Sequence, residues 1–388
     1  MTGPLAGVRV LDLGTRIAAP FCAGLLGEQG ADVIKIEQPG SGDFMREIGP
    51  FEDGYSLFWA VEGRGRRSVT LDLRRPEGQR ILRDLAATAH VVCENFRPGT
   101  LERWSIAPGD CAQHLVWVRI SAFGQDGPNH ERPGLDRVGI GIGGLMHLTG
   151  YPDRPPVRVG VTISDYLTGV FAAQAATAAL YGGGGAVIDA ALYGASLRVL
   201  EWTLAAYDRL GVVRNREGNR LANSAPLDNY PTADGKHICI VAGSDANFAR
   251  LCQAMDRPEL VDDARYATLA ERAARSDEIN GVVADWTSKR SAAAVEEACV
   301  ANDVPVATAY TAQDIFTDAH IAARGDIVTV EDPVLGPVRQ QAPFPRRAGQ
   351  PPAAPTGAPR LGEHTSDILT ELGLDAAAIE ELSASGII

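Results

Sequence analysis

The sequence lacks the features that would tie a chain of 388 residues to a membrane, a disulfide framework or a metal. No stretch reaches the ~18 consecutive apolar residues that a membrane-spanning helix needs. The six cysteines are scattered without a Cys-x-x-Cys pair, which predicts buried thiols in a reducing compartment. Histidine and acidic residues show no metal-binding spacing such as His-Glu-x-x-His, so we expect no metal site.

Positive charge is scarce as well, because 36 lysines and arginines face 49 aspartates and glutamates and leave a net charge of −13. This balance argues against a general binder of nucleic acid or of membrane surfaces, and it leaves a local basic pocket open. Residues 1–7 also lack the charged start and the apolar core of a signal peptide. We therefore expect a cytoplasmic protein.

The N-terminal third alternates between strand and helix patterns. Apolar and β-branched runs predict strands at residues 8–13, 32–37, 68–73, 90–95 and 115–120. Helices are predicted between them, including 20–29 and 76–87, the second with Pro76 in its first turn. Strands separated by helices form a mostly parallel sheet, and such sheets bind ligands beyond the carboxyl ends of their strands. The sequence thus predicts an α/β protein whose binding site lies in the loops that follow these strands.

The pattern changes after a predicted strand at 186–191 and a predicted helix at 192–210. A polar connection at 214–229 leads to a turn, a strand at 237–242 and helices near 245–255, 268–286 and 292–302. These segments predict a separate, smaller α+β unit between residues 225 and 325. A proline- and alanine-rich stretch at 349–358, which has no apolar periodicity, is expected to be a linker or a surface strap.

Asp165 stands where a partly β-branched run at 159–163 gives way to an alanine-rich helix pattern at 170–180. It is expected at the helix start or one residue inside, where unpaired N–H groups and the helix dipole favour an anion. Such a carboxylate should stay ionised, which suits a nucleophile. An ordinary N-cap is the alternative, because Ser or Asp before an apolar run is the usual signature of a helix start.

Arginines cluster around the predicted strands in spite of the acidic average. Because the planar guanidinium can donate two parallel hydrogen bonds, such clusters favour a phosphorylated ligand such as a nucleotide or coenzyme A. Solvated charges on helix faces are the alternative. The arginines concerned are Arg64, Arg66, Arg67, Arg74, Arg75, Arg97 and Arg103.

Two further patterns are not expected to carry chemistry. Residues 139–144 match Gly-x-Gly-x-x-Gly, but no strand pattern precedes them, so a dinucleotide site is not predicted. We expect these glycines to form a loop that backbone or ligand approaches closely. His364, beside a predicted helix start near 366, is expected to make structural hydrogen bonds.

Several segments, in order and spacing, resemble family III coenzyme A transferases, the family of the formyl-CoA:oxalate and carnitine CoA-transferases. The resemblance runs nearly from end to end, and α-methylacyl-CoA racemases share the fold. The matching segments are 4–12, 30–43, 67–73, 76–78, 94–99, 121–128, the Asp165 segment and 359–365.

The resemblance implies an interlaced homodimer. Its Rossmann-like large domain would comprise residues 1–200 and 330–388, and its small α+β domain residues 225–325. The linker 201–224 and a returning linker region, 326–358, would cross between them. The implied substrates are an acyl-CoA and a carboxylic acid, with no metal and no cofactor beyond CoA as co-substrate.

By position, Asp165 matches the catalytic aspartate of the family. The resemblance implies that its carboxylate attacks the acyl-CoA, forms a mixed anhydride and then an aspartyl-CoA thioester, from which an acceptor acid takes CoA. The positions that match the CoA-binding residues of the family are Leu71, Asp72, Leu73, Arg74, Asn95, Phe96, Arg97 and Arg103, together with Gln38.

The chain departs from the formate enzyme at three places. Ile17 replaces a glutamine, Gln38 replaces an arginine, and the glycine-rich flap is absent around 225–230. The acyl group is therefore expected to be larger or more apolar than oxalate, such as a branched or dicarboxylic acid. The predicted lining of its pocket is Ile17, Ile140, Ile142, Leu145 and Met146.

Two other functions stay open from the sequence. A racemase would carry a histidine directly before Asp136, where this chain has Leu135, and it would lack a second base here. The other is a CoA-binding protein without catalytic activity, against which the intact Asp165 argues.

Overall fold

A computed structural model describes residues 3–349 and 354–388. The chain divides into two compact units. The first contains the described residues of 1–146, 158–208 and 320–388, and the second contains 147–157 and 209–319. Residues 1 and 2 of the predicted large domain and residues 350–353 of the predicted linkers lie outside the described residues.

The first unit is built on a six-stranded sheet in which every neighbouring pair of strands is parallel. Its order is β5-β2-β1-β6-β7-β8, and a small antiparallel hairpin, β3–β4, accompanies it. The strands are β1 (Arg9–Asp12), β2 (Asp32–Glu37), β3 (Phe51–Glu52), β4 (Tyr55–Ser56), β5 (Arg67–Thr70), β6 (Val91–Glu94), β7 (Val116–Ser121) and β8 (Val187–Ala191).

This order is that of a doubly wound nucleotide-binding sheet, and it reverses direction between β1 and β6. All five strands predicted in the N-terminal third are present, and β2 has the predicted bounds. They are continuous buried runs, because parallel sheets are covered on both faces.

Helices cover both faces of the sheet and form two apolar cores. One core joins Ile81 and Leu85 to Ile368 and Leu369 near the C-terminus. The other is rich in alanine, so the helices on that face approach the strands closely. The helices up to the end of this stretch are α1 (Ala18–Glu28), α2 (Leu57–Glu62), α3 (Pro76–Ala87), α4 (Thr100–Arg103), α5 (Asp136–Ile142), α6 (Leu145–Leu148), α7 (Ile163–Tyr181), α8 (Leu192–Arg198) and α9 (Thr203–Leu210).

The loop expected at the glycine segment 139–144 is present only at Gly143 and Gly144, because helix α5 includes residues 139–142. Helix α5 runs through Gly139, where the missing side chain lets neighbouring elements pack closely. A Cβ on Gly139 would lie 2.8 Å from the Ser164 Oγ and 2.9 Å from the Leu192 Cβ. The close approach itself is confirmed. The predicted helix 192–210 is interrupted between α8 and α9, where Glu201 has a positive φ of 55°.

The second unit has a three-stranded antiparallel sheet of order β11-β10-β9, covered by helices. Its core surrounds Tyr230, Phe248 and Ile279, and the buried Arg272 donates to three backbone carbonyls there. The predicted helix 268–286 is two helices that meet at Arg275. The elements are β9 (Leu227–Pro231), β10 (His237–Val241), β11 (Val306–Thr308), α10 (Asp245–Ala254), α11 (Leu269–Ala274), α12 (Ser276–Thr287), α13 (Ala292–Ala301) and α14 (Ala312–Thr317).

The remaining elements are α15 (Ala319–Arg324), the antiparallel hairpin of β12 (Ile327–Asp332) and β13 (Gly336–Gln341), α16 (Thr365–Glu371) and α17 (Ala376–Ala384), with short 3-10 helices at Phe44–Glu47, Pro108–Asp110 and Pro258–Leu260.

His364 is structural, as predicted. Its Nδ1 accepts from the Ser68 N–H at 3.2 Å, and its own N–H donates to the Ser68 carbonyl at 2.9 Å. None of the helices in the described part of the chain has both the length and the apolar character to cross a lipid bilayer.

Candidate active site

The loops beyond β1, β2, β5 and β6 enclose a cavity of about 230 Å³ at the carboxyl edge of the sheet. This is the place at which a doubly wound sheet binds its ligand, next to the reversal between β1 and β6. Six of the nine predicted CoA-binding residues line the cavity, namely Gln38, Leu71, Asp72, Leu73, Arg74 and Phe96. The cavity therefore brings together residues that are up to 58 positions apart, from Gln38 to Phe96.

Asn95, the seventh predicted residue, fixes a loop. Its Nδ2 donates to the Thr15 carbonyl at 2.7 Å, and its Oδ1 accepts from the Thr15 N–H at 2.8 Å. Both ends of the amide are used in this clamp, which fastens the loop after β1 to the loop after β6. Asn95 thus shapes the cavity wall through Thr15, which lines it.

Arg74 lies at the cavity but already has an anionic partner. Its Nε and Nη2 donate to the two Asp72 carboxylate oxygens at 2.9 and 3.0 Å, and hydrogen bonds from Arg74 lower the pKa of Asp72. When the Gln38 amide is oriented to satisfy its hydrogen bonds, its oxygen also accepts from Arg74. Gln38 and Asp72 together hold the guanidinium over the mouth of the cavity.

Arg97 and Arg103 lie outside the cavity lining and are exposed. Arg97 has no side-chain partner among the residues that the structure describes, and Arg103 donates to the Thr100 Oγ1 at 3.1 Å. Gly99, between them, has a φ of 82°, a left-handed conformation that glycine adopts readily. These two guanidinium groups are accessible to an anion.

Three other predicted phosphate-binding arginines stabilise the fold, which corrects that interpretation. Arg64 pairs with Glu28 at 2.7 Å, and Arg67 donates to Asp32 and Glu371. The buried Arg66 lies 3.6 Å from the Asp12 carboxylate and donates to the Pro20 carbonyl. All three guanidinium groups are thus engaged by partners within the fold.

A buried group of charges lies beneath the loop after β1, and we call it the Lys35 cluster (Asp12, Lys35, Asp43 and Arg66). The Lys35 Nζ lies 2.9 Å from Asp43 and 3.5 Å from Asp12, and it donates to the Gly14 carbonyl. Burial alone would raise the pKa of Asp43, but Lys35 and backbone N–H donors hold it below its usual value. The only sequence signal for this cluster was a lysine inside the apolar strand 32–37.

Asp165 is the third residue of α7, and it is not the cap of that helix. The cap is supplied by the buried Asp136, whose Oδ1 accepts from the Ser164 N–H and from the Ser164 Oγ, each at 2.9 Å. The Asp165 carboxylate has no hydrogen-bond partner among the described residues. The N-cap alternative for Asp165 is therefore wrong. The Asp165 side chain makes no hydrogen bond to the start of α7.

Burial raises the pKa of Asp165 to about 7, and the nearby Asp136 carboxylate adds to the shift, while Arg16 opposes it. The expectation that this carboxylate stays fully ionised is thus wrong, because loss of water outweighs the favourable end of the helix. A carboxylate with a pKa near neutrality is typical of functional sites.

The start of α7 crosses the start of α1 beside Asp165. Gly169, one turn further along α7 on the same face, packs so closely that a Cβ there would lie 3.0 Å from the Ala18 carbonyl oxygen. Asp165 therefore faces the residues that lead into α1, Arg16 and Ile17. The Tyr166 ring meets the Phe21 ring edge-on, with centroids 4.8 Å apart.

The predicted acyl pocket is only partly supported by the placement of its residues. Ile17 is buried in an apolar cluster with Met45 and Trp59, against which Tyr166 packs. Ile140 is fully buried within the fold, whereas Ile142 is half exposed. Ile17 lies beside the start of α7, since its cluster includes the neighbouring Tyr166.

The residue that a racemase would need is missing from this site. Leu135, directly before Asp136, is 56% exposed and carries no ionisable group. Asp136 itself is occupied with Ser164. Among the described residues, no group of three or more His, Cys, Asp or Glu side chains could hold a metal ion.

The chain is similar to known proteins over nearly its whole length. The family model described as CoA-transferase family III matches residues 5–365. The succinyl-CoA–D-citramalate CoA-transferase of Chloroflexus aurantiacus is 41% identical, over 99% of this chain and 98% of the relative. The succinyl-CoA–L-malate CoA-transferase beta subunit of the same organism is 40% identical, over 100% of this chain and 98% of the relative.

Among solved structures, a CAIB/BAIF family protein from Brucella suis superposes with a TM-score of 0.85 and 32% identity, covering 96% of this chain and 100% of that one. The family match, the two relatives and the solved structure each cover nearly the whole chain. The chain belongs to CoA-transferase family III, and it is an enzyme that transfers coenzyme A from an acyl-CoA to a carboxylic acid.

Proposed function

We propose that Asp165 is the nucleophile of this transfer. An oxygen of its carboxylate attacks the thioester carbonyl carbon, the C–S bond breaks, and a mixed anhydride and the CoA thiolate result. The thiolate then attacks the aspartyl carbonyl carbon, the anhydride C–O bond breaks, and the first acid leaves as its carboxylate. The acceptor carboxylate reverses these steps and leaves carrying CoA. No proton is gained or lost over the cycle.

The observation that carries this proposal is the Asp165 carboxylate, half-buried and without a hydrogen-bond partner among the described residues. A carboxylate that is engaged in capping or ion pairing is a poor nucleophile, because its lone pairs are occupied. Asp136 caps the helix instead, because it accepts from the N–H of Ser164, the residue before Asp165. Asp165 is therefore left with a raised pKa and with both oxygens available for attack.

We further propose that the cavity at the carboxyl edge receives the nucleotide end of CoA. Leu71, Leu73 and Phe96 supply apolar walls for a base, and Arg74 lies at the mouth. The exposed Arg97 and Arg103 are suited to the phosphates, because neither guanidinium pairs with a carboxylate in the described part of the chain. Gln38 contributes by holding Arg74.

For the substrates, we propose a succinyl-CoA donor and a small dicarboxylic acid as acceptor. The two relatives reported above are named as succinyl-CoA enzymes that act on D-citramalate and L-malate. This class agrees with the expectation of an acyl group larger than oxalate. The apolar Ile17 beside the start of α7 is also better suited to the carbon chain between two carboxylates than a polar residue would be.

We also propose the interlaced homodimer, with residues 1–200 and 330–388 as the large domain, 225–325 as the small one, and 201–224 and 326–358 crossing between them. Edge strand β8 and the helices α7, α8 and α9 carry several exposed large apolar side chains, which favours association with a second copy. They include Val170, Phe171, Val187, Leu197, Leu204 and Tyr207. Sedimentation at falling concentration should give one dimeric species, and an active monomer would contradict it.

The transfer is tested by incubating the protein with succinyl-CoA and a panel of acids and identifying new thioesters by mass spectrometry. Samples quenched early should contain the chain heavier by CoA, with the adduct at Asp165 and sensitive to hydroxylamine. In heavy water, the acyl α-carbon should gain no deuterium at the rate of turnover. Deuterium uptake without exchange of CoA between acids would instead support a racemase.

A further inference from the structure

Arg16 differs from the other arginines near the candidate site. Among the described residues, its guanidinium has no ion-pair or hydrogen-bond partner, whereas Arg46 and Arg66 face carboxylates inside the protein. The contact that Arg16 does make is with a ring, because its guanidinium carbon lies 4.0 Å from the centre of Phe44. The chain thus holds an uncompensated, half-buried cation at the start of α1.

The backbone of Arg16 is fixed in an unusual conformation. Its φ is 66°, in the left-handed region that residues other than glycine seldom adopt. The Arg16 N–H donates to the Asp43 Oδ1 at 3.0 Å, and the preceding Thr15 is clamped by Asn95. Asp43 is in turn held by Lys35. Such strained positions persist where the surroundings over-determine them, and they concentrate at functional sites.

The stacking on Phe44 leaves the edge of the guanidinium free. A ring covers the face of the planar group, while its N–H donors point outward in the plane and can form two parallel bonds to a carboxylate. The loop that carries Arg16 leads directly into α1, and the start of α1 meets the start of α7 at Ala18 and Gly169. The fork is therefore presented next to the Asp165 carboxylate.

We propose that Arg16 binds the distal carboxylate of a dicarboxylic acyl group, and so determines that this enzyme acts on diacids. The inference rests on the proposed function of Asp165, and it adds the group that recognises the far end of the substrate. The acceptor acid takes the place that the first acid leaves. The same arginine therefore binds the distal carboxylate of both the acyl donor and the acceptor acid. The charge of Arg16 also favours the ionised form of Asp165.

Arg16→Met tests this inference, with succinyl-CoA and butyryl-CoA as paired donors that differ in the distal carboxylate. The assays are run at pH 9, so that loss of the Arg16 charge does not limit the ionisation of Asp165. We expect kcat/KM for succinyl-CoA to fall on the order of 10- to 100-fold relative to butyryl-CoA. Arg16→Lys should recover part of the preference. When succinate and butyrate compete as acceptors, Arg16→Met should likewise lower the preference for succinate.

Two further variants test the support of Arg16 and control for the loss of a positive charge. Phe44→Leu removes the ring on which the guanidinium rests, and because Phe44 is 40% exposed the fold should tolerate it. It should lower the preference for succinyl-CoA in the same direction by a smaller factor. Arg80→Met, an exposed charge on α3, is the matched control and should leave the ratio unchanged. Thermal unfolding and CoA affinity are measured for each protein.

The outcomes separate the inference from the function beneath it. If wild-type protein forms no CoA adduct and transfers CoA to no acid, the proposed role of Asp165 fails. If wild type transfers CoA but Arg16→Met slows succinyl-CoA and butyryl-CoA equally, Arg16 does not read the distal carboxylate. An equal rise in KM for both donors, with weaker binding of free CoA, would assign Arg16 to a phosphate instead and would also overturn the inference.

Discussion

Asp43 and Asp165 are aspartates of the same unit, and their surroundings are opposite. Asp43 accepts from the backbone N–H groups of Arg16 and Met45, pairs with Lys35, and has a lowered pKa. Asp165 has no hydrogen-bond partner among the described residues, and burial raises its pKa to about 7. The first carboxylate is used to hold the backbone of the ligand loop. The second keeps its lone pairs available.

This difference teaches how one sheet edge separates support from chemistry. The Lys35 cluster lies beneath the loop after β1 and fixes residues 14–16, whereas the start of α7 brings Asp165 to the same loop from the other side. Replacing a residue of the cluster should therefore act on folding. Replacing Asp165 should act first on turnover, with an effect on stability that depends on pH, and the predictions below test both parts of that division.

The largest expected effect is on turnover in Asp165→Asn. Because the amide cannot attack a thioester, we expect kcat to fall by at least about 10³-fold while CoA affinity stays close to that of wild type. Steady-state rates and equilibrium binding of CoA check this. Asp84→Asn, an exposed aspartate on α3, is the matched control. Turnover near the wild-type rate in Asp165→Asn would assign the nucleophile elsewhere.

Lys35→Met should have the largest effect on stability. It leaves the buried carboxylates of Asp12 and Asp43 without their ammonium partner, which costs about 3–5 kcal/mol in the free energy of unfolding. Denaturant titration at pH 7 measures the loss. The exposed pair Lys289–Asp285 supplies the control, because Lys289→Met should change stability by less than about 1 kcal/mol. Equal effects of the two substitutions would erase the contrast between cluster and surface.

The sequence was sufficient for what depends on local pattern. Strand 32–37 and helix 76–87 have the predicted bounds, since a run rich in β-branched residues marks the first and a proline in the first turn marks the second. The cavity at the carboxyl edge follows from the strand order that these elements imply. The role of Asp165 as nucleophile stays a prediction.

The features that could not be predicted from the sequence depend on contacts between residues that are distant along the chain. The cap on α7 comes from Asp136, 28 positions before Ser164, and no local signature marks such a partner. The left-handed conformation of Arg16 is imposed by Asn95 and Asp43, which fold onto it from other loops. Gly139 was predicted to lie in a loop, because the contacts that require a glycine there, with Ser164 and Leu192, are tertiary and leave no local signal in the sequence.

A smaller effect is expected on stability in Asp165→Asn. The pKa of Asp165 is raised in the folded protein from 3.8 to about 7, so the folded state binds more protons than the unfolded state between these values. Stability is therefore lost as pH rises from 4 to 7, by up to about 4 kcal/mol for a shift of this size. Asp165→Asn should be more stable than wild type at pH 8 and equally stable near pH 4. A variant with no gain at pH 8 would show that the carboxylate is well solvated.

The smallest effect concerns the like charge that Asp136 places near Asp165. In free wild-type enzyme, kcat/KM should fall tenfold per pH unit below about 7, because only the ionised Asp165 attacks. Asp136→Asn keeps an oxygen that can accept from Ser164 and removes the negative charge, so the pKa of Asp165 should drop and the acid limb should move to lower pH. We expect the displacement to be less than about one unit, since Asp136 is the secondary cause and burial remains. Rate profiles from pH 5 to 9 with a saturating acceptor measure it, with unfolding curves to confirm that the capped helix is intact. A limb that moved to higher pH would mean that Asp136 helps Asp165 to ionise, and the division between supporting and reacting carboxylates would have to be drawn differently.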